Sequence, residues 1–137
     1  MALIGRLHPL LVHFPIALIL IAAVAEVVAL VTQFPEWHVV AVANVRAGAA
    51  FAMVTVGAGW LLASSRIVEA SPALEWHRWL GVMTAVAAIA AALTTGDDGR
   101  PGRQWRYRVA LFLAAALVGV AGHLGAVLVW GADFLLP

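Results

Sequence analysis

Four long apolar stretches divide the chain, and each is close to the roughly 20 residues that cross the hydrocarbon core of a bilayer. They cover residues 8–33, 39–64, 74–95 and 107–131, and the segments between them contain proline, glycine and charged residues. Such short connections place neighbouring helices antiparallel. The pattern predicts an all-α, integral membrane four-helix bundle with up-down-up-down topology, forming a single domain over residues 1–137.

The composition predicts that lipid covers much of this bundle. Hydrophobic residues make up 64% of the chain and charged residues 11%, with a mean hydropathy of +1.00, whereas a soluble domain carries roughly 25% charged residues. The absence of cysteine excludes iron–sulfur clusters, thiolate metal sites and covalently attached c-type haem. The basic residues are all arginine and form no basic stripe interleaved with aromatic residues, so nucleic acid is not an expected partner.

The arginines also give an orientation. More of them lie beside the third connection than on the opposite side of the membrane, as the two sets show: Arg100, Arg103, Arg106 and Arg108 against Arg6, Arg66 and Arg78. Because arginine-rich connections stay in the cytoplasm, the third connection is predicted to be cytoplasmic. Both termini then lie on the other side, which is called the outer side in this subsection.

Four of the five histidines are predicted to lie in the outer half of the bundle. His8 is at the mouth of the first helix, and His13 lies about 7 Å deeper at 1.5 Å per residue. His77 is in the first turn of the third helix, and His123 lies roughly 12 Å below the outer surface in the fourth. A histidine inside a span is costly and commonly functional, whereas one at a helix mouth is commonly interfacial. His38 lies on the other side and is interpreted as a solvated loop residue.

Glycine and proline surround these histidines. Gly122 and Gly125 flank His123, and glycine allows the close approach of either a flat ligand or a neighbouring helix. Pro15 should kink the first helix and free the backbone carbonyl of Leu11. The two histidines of this helix are five residues apart, so in a regular helix they point about 140° from each other and cannot easily bind one metal ion together.

Three sequence motifs resemble those of one family. Residues 7–18 (LHPLLVHFPIAL) resemble the opening motif of the bacterial DUF2231 family of small predicted membrane proteins. Residues 76–81 (WHRWLG) are similar to its His-Arg element, and residues 122–131 (GHLGAVLVWG) to its last-helix element. In the last motif Ala126 replaces a second glycine and Trp130 replaces a tyrosine. The resemblance implies a bacterial inner-membrane protein. It also implies electron transfer with membrane or periplasmic redox proteins, since members of the family resemble domains that are sometimes joined to redox domains in one chain. The resemblance assigns no cofactor.

The leading functional hypothesis is a b-type haem protein in membrane electron transfer. Haem b needs axial ligands and a slot between helices, but no cysteine. By depth the best axial pair is His13 with His123. His8 and His77 are then available for a second haem or for the haem propionates, and Arg78 is a candidate propionate partner because an arginine fork fits a carboxylate.

Two other functions stay open. The four outer histidines suit a copper or zinc site, to which Glu75 could add a carboxylate ligand. Alternatively, the chain is a small structural subunit of a larger membrane complex without a cofactor. The sequence contains no nucleophile-elbow, phosphate-loop or His-Glu-x-x-His motif. An electron carrier or accessory subunit is therefore expected rather than an enzyme.

The cytoplasmic half is predicted to contain a buried ion pair. Glu26 and Arg46 lie at equal distances from a turn centred near Glu36, so an antiparallel helix pair places them at one depth. Ionisable groups inside apolar spans are costly unless paired. A Glu26–Arg46 pair is therefore predicted, with Asn44 near enough to join it. In the alternative interpretation, Arg46 reaches the interface and Glu26 is protonated.

Overall fold

The computed structural model describes residues 5–65, 68–96, 102–131 and 133–134, which form helices joined by short connections and contain no strand. A short helix α1 (His8–Leu11) continues through Val12 into α2 (His13–Thr32) to form the first span. The other three spans are α3 (Pro35–Ala63), α4 (Pro72–Leu93) and α5 (Arg103–Trp130). All four spans are long and apolar enough to cross a membrane. Each span packs against the next, and α5 packs back against α2. The predicted all-α four-helix membrane bundle is confirmed.

The turn between α2 and α3 is tighter than predicted. Gln33 ends α2 in the left-handed conformation with φ of 59°, and Phe34 is extended. Pro35 then begins α3, where its missing N–H costs no hydrogen bond and its fixed φ suits a helix. α3 therefore starts four residues before the predicted residue 39. His38 lies inside this helix and not in a solvated loop, so that interpretation is wrong.

Small side chains let the helices pack closely. The buried core is dominated by alanine, including Ala22, Ala88, Ala91 and Ala114, and small residues permit close helix–helix contact in membranes. Larger apolar side chains, such as those of Val31 and Val129, point outward and are exposed. This apolar exterior is the surface of a protein that contacts lipid.

Polar side chains gather at the two ends of the bundle. At one end α1 and the first turns of α4 meet the last turns of α3 and α5. We call it the histidine end because His8 and His77 lie there. The other end contains the α2–α3 turn and the first turns of α5. We call it the glutamate end because Glu26 is buried there.

Candidate functional site

His8 is held against α3 by one hydrogen bond and one glycine. Its ring is half-buried, and its Nδ1 lies 3.0 Å from the backbone carbonyl oxygen of Thr55. A carbonyl only accepts, so Nδ1 carries the proton and the Nε2 lone pair is left available. One turn later on α3, a Cβ added to Gly59 would sit 2.8 Å from the ring carbon Cε1. Position 59 must therefore be glycine for the His8 ring to lie where it does.

His77 repeats this arrangement in the second pair of helices. Its Nδ1 donates to the carbonyl oxygen of Ala121 on α5 at 2.9 Å. A Cβ added to Gly125, again one turn beyond the acceptor, would lie 3.2 Å from the ring carbon Cε1. Each antiparallel pair thus supplies one histidine, one carbonyl acceptor and one glycine four residues after it.

The two rings meet across the bundle axis. Their centres are 6.1 Å apart, and their planes are nearly perpendicular at 83°. A metal centre bonded to two imidazole nitrogens at about 2 Å each holds the ring centres roughly 6 Å apart when the ligands lie opposite each other. Both Nδ1 atoms are already used, so a metal held between the two rings would be bound through their Nε2 atoms.

A largely apolar cavity of about 520 Å³ adjoins the two rings. His8, His77, Arg78, Gly122 and Gly125 contribute to its lining. Its volume falls within the range of about 300–1,000 Å³ that is usual for cofactor and small-molecule sites. The cavity therefore has the size and the polarity of a site for a largely apolar ligand.

Arg78 places a positive charge on the cavity wall. Its guanidinium carbon lies 3.8 Å from the centre of the Trp60 ring, in a cation–π contact. Its Nε is buried and has no hydrogen-bond partner among the described residues. A buried guanidinium N–H that lacks an acceptor suits a carboxylate or another anionic group of a ligand.

Thr55 fixes the first helix in two ways that the sequence did not reveal. Its hydroxyl donates to the carbonyl oxygen of Leu11 at 3.3 Å, while its own carbonyl accepts from His8. The carbonyl of Leu11 is the one that Pro15 was expected to free. The sequence signal for Thr55 is its position one turn before Gly59.

All four predicted histidines lie at the histidine end, but they do not share one site. His13 is exposed and lines the cavity, with Nδ1 3.3 Å from the carbonyl oxygen of Leu10 in the same span. His123 is exposed, is not among the cavity-lining residues, and has its ring centre 6.2 Å from that of Phe134. Of the predicted His13–His123 axial pair, His13 lines the cavity and His123 does not. The two histidine rings that contact each other are those of His8 and His77.

The four-histidine copper or zinc site is likewise not assembled. Within the described ranges, no group of three or more His, Cys, Asp or Glu side chains is arranged to hold a metal ion. Only His8 and His77 are in ring contact with each other, and Glu75 is exposed. An ion that needs three or four protein ligands therefore finds two at this position.

Glu26 at the opposite end has two partners, neither of which was predicted. Its side chain is fully buried. One carboxylate oxygen lies 2.7 Å from Nδ1 of His38, and the other accepts from Nε of Arg108 at 2.9 Å. α2, α3 and α5 are therefore joined through one carboxylate.

The predicted Glu26–Arg46 pair is wrong. Arg46 donates instead to the hydroxyl of Thr95, from Nε at 3.1 Å and Nη2 at 2.7 Å. Asn44 donates to the carbonyl of Val40 in its own helix. Two residues at equal depth need not face each other, because the direction of the side chain rotates by about 100° around the helix axis with each residue.

Replacing Gly59 tests whether the His8 ring packs against this glycine. We expect Gly59→Ala to push the His8 ring away from its carbonyl partner, because the new Cβ would lie within 3 Å of two ring atoms. Gly57→Ala on the same helix is the matched control, since no atom lies within 4 Å of its added Cβ. Nitrogen-15 NMR of the labelled histidines should show a changed His8 signal in Gly59→Ala alone. An equal change in both variants would contradict the packing described.

Comparison with known proteins supports this membrane assignment. A model of the DUF2231 family, described as a predicted membrane protein, matches residues 6–134. No curated protein and no solved structure matches the chain. The family match covers almost the whole length, including both helix pairs and the histidine end. The chain therefore belongs to the DUF2231 family of predicted membrane proteins.

Proposed function

We propose that this protein is a membrane-embedded electron carrier that binds one b-type haem at the histidine end, with His8 and His77 as axial ligands. The observation that carries the proposal is the meeting of these two rings from different helices, 6.1 Å apart, with each Nδ1 bonded to a backbone carbonyl. Bound haem supplies one-electron transfer through its iron.

The second hydrogen bond of each ring supports this assignment. A histidine that binds a metal commonly donates its other ring N–H to a carbonyl or carboxylate, which sets the tautomer and the ring orientation. Thr55 and Ala121 supply these acceptors from within α3 and α5. These hydrogen bonds would orient both imidazoles for ligation.

The cavity supports a haem more than a bare ion. Its lining is largely apolar, as the faces of a porphyrin require, and includes Gly122 and Gly125. Arg78 contributes a guanidinium with a free Nε to the same wall, where it would bind a propionate. A metal ion alone would leave both the apolar volume and Arg78 unused.

The location of the site indicates its partners. The haem would lie near one membrane surface, within reach of a redox protein outside the bilayer. From the arginine distribution we infer that this surface is the periplasmic one of a bacterial inner membrane. Electrons would then pass to or from another membrane protein or a periplasmic redox protein, and no substrate is turned over.

An absorption spectrum with cofactor quantification tests the proposal. Protein purified from a haem-sufficient bacterial host, or titrated with haemin in detergent, should show a Soret band, one haem per chain and a spectral shift on reduction. Copper and zinc are measured on the same sample. A colourless protein that takes up no haemin would overturn the proposal. Stoichiometric metal would then favour the ion-binding function, and a sample without any cofactor would favour a structural subunit.

A further inference from the structure

The glutamate end contains a second group of ionisable side chains, about 27 Å from His8 along the first span. It consists of Glu26, His38 and Arg108. We propose that His38 is a proton-binding site: Nε2 takes up a proton from the aqueous phase at this end, while Nδ1–H stays donated to the buried carboxylate of Glu26. The inference is independent of the proposed haem.

The charge of Glu26 is the starting point. A fully buried carboxylate inside an apolar span is costly unless it is paired and hydrogen-bonded. Arg108 supplies the opposite charge through Nε at 2.9 Å, which gives a neutral pair. The second carboxylate oxygen remains for His38, at 2.7 Å from Nδ1. Both oxygens of Glu26 are therefore used by partners from two other helices.

This arrangement determines which nitrogen of His38 binds the proton. An ionised carboxylate only accepts hydrogen bonds, so Nδ1 carries the hydrogen and Nε2 has the lone pair. A carboxylate that orients an imidazole in this way fixes its tautomer, as it does in hydrolase triads. Proton uptake at Nε2 changes the group from zero net charge to +1, with Glu26 and Arg108 keeping their charges.

The side chain of His38 reaches the surface of the bundle, whereas that of Glu26 does not. The side chain of His38 is 33% exposed, against 0% for Glu26. It lies in the first turn of α3, directly after the α2–α3 connection. A proton can thus arrive from the interface without the buried carboxylate having to meet water.

The other elements packed around His38 bring one more titratable group. From α5, the Tyr107 ring packs edge-on against His38 with centres 5.4 Å apart. Its buried hydroxyl lies near the Glu26 carboxylate. The titratable residues of α4 lie at the histidine end (Glu75, His77 and Arg78). Glu26 is therefore the acidic partner that the structure gives to His38.

Nitrogen-15 NMR of the full chain in lipid nanodiscs tests the inference. Histidines are labelled, and His38 is assigned by the signal lost in His38→Gln. In the wild type we expect the Nδ1–H tautomer to predominate by at least about tenfold, because its hydrogen bond is to a charged acceptor. As the pH is lowered, Nε2 alone should gain a proton.

The matched variants are Glu26→Gln and Glu36→Gln. Glu26→Gln removes the carboxylate charge and should weaken the tautomer preference of His38. Glu36→Gln changes an exposed glutamate in the same first turn of α3 as His38 and should leave that preference intact. A wild-type His38 that carries its proton on Nε2, or that does not respond to pH, would overturn the inference. If Glu26→Gln does not fold, the wild-type tautomer and its response to pH test the inference by themselves.

Discussion

Alanine at position 8 or 77 should abolish haem binding, while alanine at position 13, 38 or 123 should leave at least half of the wild-type occupancy. His8 and His77 are the rings that meet at the cavity, and loss of either would remove one of the two proposed axial ligands. His123 is exposed beside Phe134, and His38 lies at the opposite end of the bundle. Haem per chain, measured after extraction from equal amounts of purified protein, checks the prediction.

Folding controls are needed because His8 and His77 also join helices. Helical circular dichroism and the elution volume in detergent should match the wild type in all five variants. The opposite pattern, with haem lost in His123→Ala and retained in His8→Ala, would favour the His13–His123 axial pair predicted from depth in the membrane. His8→Ala and His77→Ala variants with full haem occupancy would remove both residues from the ligand assignment.

Removing the carboxylate of Glu26 should have the largest effect on stability. Glu26→Leu would leave Arg108 without its acceptor in a partly buried position. Breaking one side of a buried ion pair costs about 3–5 kcal/mol, because the remaining charge loses its compensation. Unfolding in mixed detergent micelles measures this loss. Glu36→Leu is the matched control at an exposed site, where substitutions change stability by about 0.5 kcal/mol or less.

The double variant separates charge compensation from packing. Replacing Glu26 and Arg108 together by leucine removes both charges, so it should be more stable than Glu26→Leu alone. A double variant that loses stability equal to the sum of the two single losses would contradict the coupling. A Glu26→Leu variant as stable as Glu36→Leu would show that the buried pair contributes nothing.

The sequence predicted the spans and the depths, since both follow from position along the chain. Long apolar runs give the four spans, and a rise of 1.5 Å per residue placed four histidines at one end. The face on which a side chain lies depends on how each helix is rotated, and in an all-apolar helix no polar stripe reveals this. That is why His123 was predicted at the right end and yet lies outside the cavity.

The partners of buried polar groups were harder to predict for the same reason. Glu26 and Arg46 are at matching positions of an antiparallel pair, but Arg46 lies beside α4 and bonds Thr95. Arg108 reaches Glu26 from α5, which is distant in sequence and adjacent in the bundle. Only the packing of α5 against α2 brings these two residues together.

Electron paramagnetic resonance of the ferric, haem-loaded protein tests the central claim most directly. Two imidazole ligands make the iron low-spin. The hydrogen bonds to Thr55 and Ala121 hold their planes near the 83° of the structure. Perpendicular planes leave the orbitals that share the unpaired electron almost equal in energy, so the account predicts one strongly anisotropic low-spin signal. A high-spin signal from loaded protein, or a low-spin signal that persists unchanged in His8→Ala and His77→Ala, would contradict it.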